Sequence, residues 1–217
     1  MSDIFHEVDE EVRREQFKKL WERYQAYVIA AAVLVVLAVA GWRAYDWWET
    51  KKAAEAGAAF EAAIALSDQG KHAEAEAAFN KIAEDSTTSY RPLAMMRAAA
   101  ELAETDPKAA IAAYDKITAN SSIGSELRDL AALRAGAILV DGGQYPDARQ
   151  RLEPLAEADH TFRHTARELL ALAAWRAGDT ATAKRWIDMI NSDPGTPPDE
   201  RGRMEMLGAL MASEGNG

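Results

Sequence analysis

Residues 143–155 read GQYPDARQRLEPL, and this stretch decides the fold. A turn that contains Gly143 is followed by the small residue Ala148, and large apolar side chains stand four and seven positions further on. The same order recurs three more times, which predicts an internal repeat. The four sets are Ala75, Phe79 and Ile82; Ala110, Tyr114 and Ile117; Ala148, Leu152 and Leu155; and Ala183, Ile187 and Ile190.

The spacing of the four alanines identifies the kind of repeat. They are 35, 38 and 35 residues apart, close to the period of about 34 residues in tetratricopeptide helix–turn–helix units. Two helices that cross closely need a small side chain where their backbones approach, and the alanine meets that need. The large residue one turn later fills the core between successive pairs. We therefore predict that the alanine and the first large residue of each set pack the repeats.

The predicted architecture is all-α, with a tetratricopeptide-like solenoid of about four repeats over residues 46–195. A helix within residues 196–213 would cover its open end, as terminal repeats require. We expect first helices at 53–69, 90–104, 126–140 and 165–177, second helices at 72–84, 107–118, 146–156 and 180–190, and the covering helix at 201–211.

The stretch before the repeats is apolar. Residues 26–45 read AYVIAAAVLVVLAVAGWRAY and hold one charge, Arg43, near the end. As a helix this stretch is about 30 Å long, which matches the hydrocarbon core of a bilayer. Aromatic rings at both ends suit the two headgroup regions. We predict a single membrane-spanning helix anchored by Trp21, Tyr24 and Tyr27 on one side and by Trp42, Arg43, Tyr45 and Trp48 on the other.

Basic residues predict the orientation of this helix. Five Lys and Arg residues precede residues 26–45, whereas Arg43, Lys51 and Lys52 lie at its end or follow it. Because the more basic side stays in the cytoplasm, residues 1–25 form a cytoplasmic tail and the repeats are exported. The sequence predicts a bacterial inner-membrane protein with a single span and a periplasmic C-terminal domain.

Cleavage is the alternative to anchoring. Ala38-Val39-Ala40 has the small-residue spacing of a signal-peptidase site. The long segment before it opens with acidic residues rather than a compact positive region, and Trp42, Arg43 and Tyr45 continue the anchor pattern. Both alternatives export the repeats.

Composition limits the partners and the chemistry. Of 35 acidic and 25 basic residues, 28 and 19 lie beyond the predicted span, so the exported part carries a charge of about −9. This charge argues against nucleic acid as a ligand and favours basic partners. The chain has no cysteine, which excludes thiol nucleophiles and zinc–thiolate sites.

No motif predicts catalysis, a cofactor or a metal. His160 and His164 are four residues apart with Glu168 four further on, but the segment AEADHTFRHTARE is polar and is predicted to be a solvated face. The Gly142-Gly143 turn lacks the lysine and the further glycines of a phosphate-binding loop. We expect neither enzymatic activity nor a small-molecule substrate.

The arrangement resembles the ancillary SecYEG translocon subunit (YfgM-like) family over nearly the whole chain. This resemblance implies an inner-membrane protein that associates with SecYEG and with periplasmic chaperones through its periplasmic domain. The residues that carry it are Gly41-Trp42-Arg43 with Tyr45 and Trp48, the segment 89–94 that opens the second repeat, the turn at 177–179 and the closing helix around 203–207.

The leading hypothesis is a non-enzymatic, membrane-tethered scaffold accessory to the Sec translocon, which links it to chaperones or emerging polypeptides. One alternative is a general envelope scaffold in cell division or envelope assembly. The other is a stress regulator that acts through the cytoplasmic tail.

Overall fold

A computed structural model describes residues 3–85 and 90–214. These residues form α-helices and one short 3₁₀ helix, with no strand among them, so the predicted all-α class is confirmed. In chain order the helices are α1 (Asp3–Asp68), α2 (His72–Asp85), α3 (Tyr90–Thr105), α4 (Pro107–Ala119), α5 (Ser125–Asp141), α6 (Tyr145–Leu152), the 3₁₀ helix (Glu153–Ala156), α7 (Arg163–Arg176), α8 (Thr180–Ser192) and α9 (Pro198–Glu214).

Some of the predicted features lie partly outside the residues that the structure describes. The family-like segment 89–94 begins one residue before the second described range, so Ser89 lies outside the described residues. Met1 and Ser2 of the predicted tail, and residues 215–217, lie outside them as well.

The chain divides into two compact units, Met1–Ala54 and Glu55–Gly217. The apolar stretch of α1 lies in the first unit, and the part of α1 from Leu20 to Asp68 is long and apolar enough to cross a membrane. Its apolar side chains face outward: Val33 is 52% exposed and Leu34 is 68% exposed. Such a surface suits contact with lipid, because a helix satisfies its own backbone hydrogen bonds.

The second unit is a stack of helix pairs. The end of α1 pairs with α2, and the further pairs are α3 with α4, α5 with α6 and α7 with α8, followed by α9. Four apolar clusters fill the stack, and each joins helices of neighbouring pairs. The first contains Phe79 and Ala94, and the last contains Ala174, Ile190 and residues of α9.

Two helix-to-helix turns show why the repeats begin where they do. Gly143 and Gly178 have φ of 71° and 78°, a left-handed conformation that glycine adopts without steric cost. The next residue's N–H then bonds back to the helix, from Gln144 to the Leu139 carbonyl and from Asp179 to the Ala174 carbonyl, both at 2.9 Å. This hydrogen-bond pattern ends each first helix. The second helix can then begin within two residues.

The second helix of the third repeat differs from the prediction. Residues 146–156 were expected to form one helix, but α6 ends at Leu152 and a 3₁₀ helix continues to Ala156. Pro154 explains the change, because its ring clashes with the preceding turn and it lacks an N–H donor. Leu155 and Ala156 are nevertheless buried.

The last helix closes the stack. Met204, Leu207 and Met211 on α9 are 2%, 7% and 8% exposed and pack in the same cluster as Ala171 and Ala174 of α7. The Thr196 hydroxyl donates to the Ile190 carbonyl at 2.7 Å. This contact fixes the loop that leads from α8 into α9.

Candidate protein-interaction groove

The predicted repeat-packing residues all lie in the interior of the second unit. The four alanines of the repeat sets are 0% exposed, so they sit where helices approach most closely. Tyr114 also lines a groove at the surface. The exposed fractions of their large partners are 0% for Phe79, 3% for Tyr114, 0% for Leu152 and 6% for Ile187, and the alanines are Ala75, Ala110, Ala148 and Ala183.

The predicted membrane-interface residues lie on the surface of α1. Lys52 places its ammonium 4.1 Å from the ring centroid of Trp48, a cation–π contact that holds an amphipathic pair together. Arg43 is exposed. The anchoring role of these residues stays a prediction. The exposed fractions of the rings are 51% for Trp21, 48% for Tyr24, 74% for Tyr27, 75% for Trp42, 61% for Tyr45 and 44% for Trp48.

A groove of about 900 Å³ opens between α3, the start of α4 and the C-terminal half of α5. Its apolar lining comes from small and medium side chains, and charged side chains stand around them. This combination of an apolar floor and a few polar groups is typical of recognition sites. The apolar lining comprises Ala100, Ala103, Pro107, Ile111, Tyr114, Ala137 and Ile138, and the charged lining comprises Glu104, Asp106, Lys108, Arg134 and Asp141.

The first helices α3 and α5 carry the same stripe of residues, and all of the stripe except Arg97 lines the groove. On α5 the stripe is Arg134, Ala137 and Asp141, and all three line the groove. On α3 the positions 37 residues earlier hold Arg97, Ala100 and Glu104. Residues spaced by three and seven positions share one face of a helix. Each helix therefore carries an arginine, a small residue and an acid in the same order.

Arg134 and Tyr114 both line the groove. Burial raises the pKa of the Tyr114 hydroxyl, and the positive charges of Arg134 and Arg97 act in the opposite direction. Both arginines are exposed, and neither forms an ion pair within residues 3–85 and 90–214.

Acids that line the groove have partners that limit their charge. Asp106 caps α4, and its Oδ1 accepts from the Ala109 N–H at 3.0 Å. Asp141 lies 3.5 Å from the Arg176 guanidinium, but its side chain is 82% exposed. Water screens an exposed pair of this kind, and Lys108 lines the groove close to Asp106 in the chain, so the groove holds charges of both signs.

Polar contacts across the repeats hold the helices that line the groove. The Glu101 side chain on α3 accepts from the Ser67 hydroxyl at 2.6 Å and lies 2.8 Å from His72 Nδ1. Arg151 on α6 forms a two-pronged ion pair with Asp115 on α4. Because Glu101 is 5% exposed, its two partners satisfy a carboxylate that would otherwise be costly to bury.

The predicted solvated face around the paired histidines is wrong. The His164 side chain is 13% exposed, and its Nε2 lies 3.0 Å from the Asp193 carboxylate. The His160 side chain is 24% exposed and lies 3.4 Å from Asp129. The polar segment turned inward because acids from distant parts of the chain meet it there. These contacts form a structural cluster.

Asp193 is the centre of that cluster. Its Oδ2 accepts from Arg163 Nε at 2.8 Å and from Arg167 Nη1 at 3.1 Å, and its Oδ1 accepts from the Gly195 N–H at 2.9 Å. The Arg163 hydrogen bond, followed by that of Gly195, holds the pKa of Asp193 well below its usual range. The loop after α8 is therefore tied to the start of α7.

A salt bridge joins α7 to α9. Arg203 binds Glu168 through two hydrogen bonds of 2.7 and 2.8 Å. Glu200, 6% exposed, lies beside the same carboxyl. Burial, and then the hydrogen bond and charge of Glu168, raise the pKa of Glu200. Glu168 is therefore in contact with Arg203 and Glu200, and the described residues contain no cluster of three His, Cys, Asp or Glu side chains suited to an ion.

Comparison with known proteins agrees with the stacked repeats. A family model described as a tetratricopeptide repeat-like domain matches residues 18–187. The matched range includes the apolar stretch of α1 and the first three helix pairs, and it ends within α8, the second helix of the fourth pair. It confirms the predicted repeat fold. Comparisons with curated proteins and with solved structures gave no match.

Proposed function

Because this chain belongs to the tetratricopeptide repeat-like domain family, we propose that it is a membrane-tethered scaffold for other proteins, accessory to the Sec translocon. Repeat domains of this kind typically bind proteins and lack catalytic activity, so protein partners are expected in general. The translocon and periplasmic chaperones are the specific partners that we propose. The proposed activity is recruitment rather than chemistry.

The match to residues 18–187 is the observation that carries the proposal. The matched residues include both a helix suited to a bilayer and a stack of helices suited to protein contacts. The family therefore combines the two features in one domain. We propose a cytoplasmic tail at 1–25, a span at 26–45, periplasmic repeats at 46–195 and a closing helix at 196–213. In this arrangement the inner membrane holds the repeats on its periplasmic side.

Tethering itself would contribute to binding. A domain held near the membrane has a high effective concentration at any channel exit in the same membrane. Weak contacts with a translocon, a chaperone or an emerging chain would then suffice. This reasoning supports an accessory role and agrees with the resemblance to translocon-associated proteins.

Crosslinking in intact membranes tests the proposal. A chain with a C-terminal tag would be crosslinked mildly in a Gram-negative host and purified, and both its partners and its N-terminus would be identified by mass analysis. We expect an intact Met1 or Ser2 terminus and SecY among the partners. A variant lacking residues 1–45 behind a cleavable export signal is the control for tethering.

Other outcomes would replace the proposal. A soluble chain beginning at Gly41 would show cleavage after Ala40 and remove the tether. Division or envelope-assembly proteins in place of SecY would favour a general envelope scaffold. Loss of function on deleting residues 1–20, with periplasmic partners retained, would favour a regulator.

A further inference from the structure

A further groove lies between the second helices α2 and α4, with the first helix α3 as its floor. We call it the second-helix groove. Its volume is about 380 Å³, which is within the range of ligand sites. It uses other faces of α3 and α4 than the groove beside α5, because the two grooves share no lining residue.

The floor of the second-helix groove is an apolar stripe along α3. Its residues stand three, four and seven positions from the first, so they share one face of the helix. Ala98 and Ala99 are 5% and 1% exposed and form the bottom, while Met95 and Leu102 are partly exposed at the two ends. The stripe is about 10 Å long, which corresponds to two helical turns.

The α4 wall of this groove is small and apolar. Ala109, Ala112 and Ala113 stand on one face of α4 and line the groove. Small side chains of this kind let another helix approach closely. The third repeat has no such surface, because the positions 38 residues later on α6 hold Asp147, Gln150 and Arg151.

Charges of opposite sign stand on the two walls. Glu76 on α2 is partly buried, and Asn80 one turn later donates to its Oε1 at 3.3 Å. Lys116 continues the alanine stripe into the last turn of α4. The second-helix groove is therefore acidic along α2 and basic at the end of α4.

We propose that the second-helix groove binds an amphipathic helix of a partner protein. The bound helix has large apolar side chains toward α3, basic residues toward Glu76 and acidic residues toward Lys116. Its apolar side chains enter the space that the alanines leave, and its backbone lies along the two walls. This role rests on the proposed scaffold function and adds the kind of partner segment that the scaffold holds.

A helix fits this groove better than an extended segment does. A helix bound in a groove inserts large side chains that are about one turn apart, and the stripes on α3 and α4 have the same spacing. An extended segment is held mainly by hydrogen bonds to exposed backbone groups, whereas α3 and α4 use theirs within the helices. The two charges also set the direction, because a reversed helix would place its acids beside Glu76.

A label at the groove can report binding directly. The chain has no cysteine, so Asn80→Cys, at an exposed position on the α2 wall, carries a single bimane dye in the full-length chain in lipid nanodiscs. A tryptophan in a stapled helical peptide quenches the dye only on close contact. Lys184→Cys on α8, also exposed, is the control for contact elsewhere and for peptide bound to lipid.

Three peptides test the chemistry of the bound helix. The first has leucines one turn apart, lysines on one side of this stripe and glutamates on the other. The second has the same composition with the leucines scattered around the helix, and the third has glutamates on both sides. We expect the first to bind roughly tenfold more tightly than the second and about twofold to fivefold more tightly than the third.

Charge reversal on one wall supplies the decisive comparison. Glu76→Lys makes both walls basic, so the peptide with glutamates on both sides should then bind best. The matched control is Glu84→Lys, at an exposed position of the same helix outside the groove lining. It changes the net charge equally and should keep the wild-type order. Circular dichroism checks that both variants retain their helix content.

Several results would overturn the inference. They are equal quenching at Asn80→Cys and Lys184→Cys, equal binding of the three peptides, or an unchanged order in Glu76→Lys. If no peptide binds and the chain forms a dimer that Ala112→Arg dissociates, a second copy fills the groove instead. If the peptides fail while SecY crosslinks persist, the scaffold binds its partners through another surface. If the peptide order holds while the crosslinks fail, the groove stands and the translocon role falls.

Discussion

Gly136 on α5 lies directly against Leu152 on α6, so close that a Cβ atom at position 136 would stand 2.5 Å from Leu152 Cδ2. Leu152 is 0% exposed and belongs to the cluster that joins the third and fourth pairs. The close contact explains why α5, rich in alanine and leucine, has a glycine in its middle. Crossing helices in this stack therefore approach each other closely at two kinds of small residue, the alanine of each repeat set and Gly136.

The first prediction concerns this contact. Gly136→Ala should lower the free energy of unfolding by about 1–2 kcal/mol, since overpacking costs more than the gain in helix propensity. Thermal unfolding of the full chain in detergent, followed by circular dichroism, measures the change. Gly202→Ala on α9 is the control, because no atom lies within 4 Å of its added Cβ. It should be neutral or stabilising, and equal losses in both variants would contradict the packing argument.

The second prediction concerns Glu200 and pH. Its pKa in the folded protein lies above the ordinary value of 4.5, mainly because of burial. The folded state therefore holds this proton more tightly than the unfolded state. The contribution to stability is complete below pH 4.5 and is lost as pH rises through the folded pKa.

Glu200→Gln removes this dependence, because the amide stays neutral. The variant should unfold at the same temperature as the wild type near pH 4 and at a higher temperature near pH 8. Thermal unfolding between these values measures the difference. Glu205→Gln, at an exposed position of α9, is the matched control. Parallel pH curves for wild type and Glu200→Gln would refute the prediction.

The third prediction concerns Asp193, whose pKa is held below its usual range by Arg163 and by the Gly195 N–H. Asp193→Asn should lower the unfolding temperature at pH 7, because Arg167, 3% exposed, loses its carboxylate partner. A group with a depressed pKa stabilises the fold above its unfolded pKa, and that contribution is lost as pH falls through the folded pKa. The gap between wild type and variant should therefore shrink in acid.

Asp188→Asn on α8 is the control for this variant, since Asp188 is exposed. It should leave the unfolding temperature unchanged throughout. A loss in Asp193→Asn of the same size at every pH would show that packing, and not charge, holds this loop.

The fourth prediction concerns the exposed apolar face of α1. Leu34→Arg with Leu37→Arg should prevent stable membrane insertion, because each arginine at the centre of a span costs about 2.5–3.5 kcal/mol. Alkaline extraction of membranes measures how much protein is released. Leu34→Val with Leu37→Val should remain in the membrane fraction. Retention of the arginine variant would contradict a spanning role for α1.

The repeats were predictable because their signals are local. A turn, an alanine and a large residue lie within about a dozen positions, and the packing of two adjacent helices depends on little else. Pro154 is an equally local signal, and it explains why α6 ends at Leu152, inside the helix predicted at 146–156. The stripe of Arg97, Ala100 and Glu104, repeated at Arg134, Ala137 and Asp141, was also visible in the sequence. The repeat sets that predict the fold lie on the buried faces of the helices, and this stripe does not.

Other features depend on the fold. His164 meets Asp193 across 29 positions, and Arg203 meets Glu168 across 35. Polarity alone indicated a solvated surface for this segment, whereas stacking brought opposite charges together and left the His164 and Glu168 side chains 13% and 12% exposed. Net charge misled in the same way, because a sum over the residues beyond the predicted span does not show where a single charge such as Arg134 lies.

The stacking of each helix pair on its neighbours also determines which helices unfold locally most often. In such a linear array the stability of each unit depends on its adjoining units, so a pair with neighbours on both sides is held more firmly than one at an end. Amide protons in α5 and α6 should therefore exchange with deuterium more slowly than those in α9. The groove is lined by α3, α4 and α5, so it lies in this slowly exchanging interior and keeps its shape while the ends open and close.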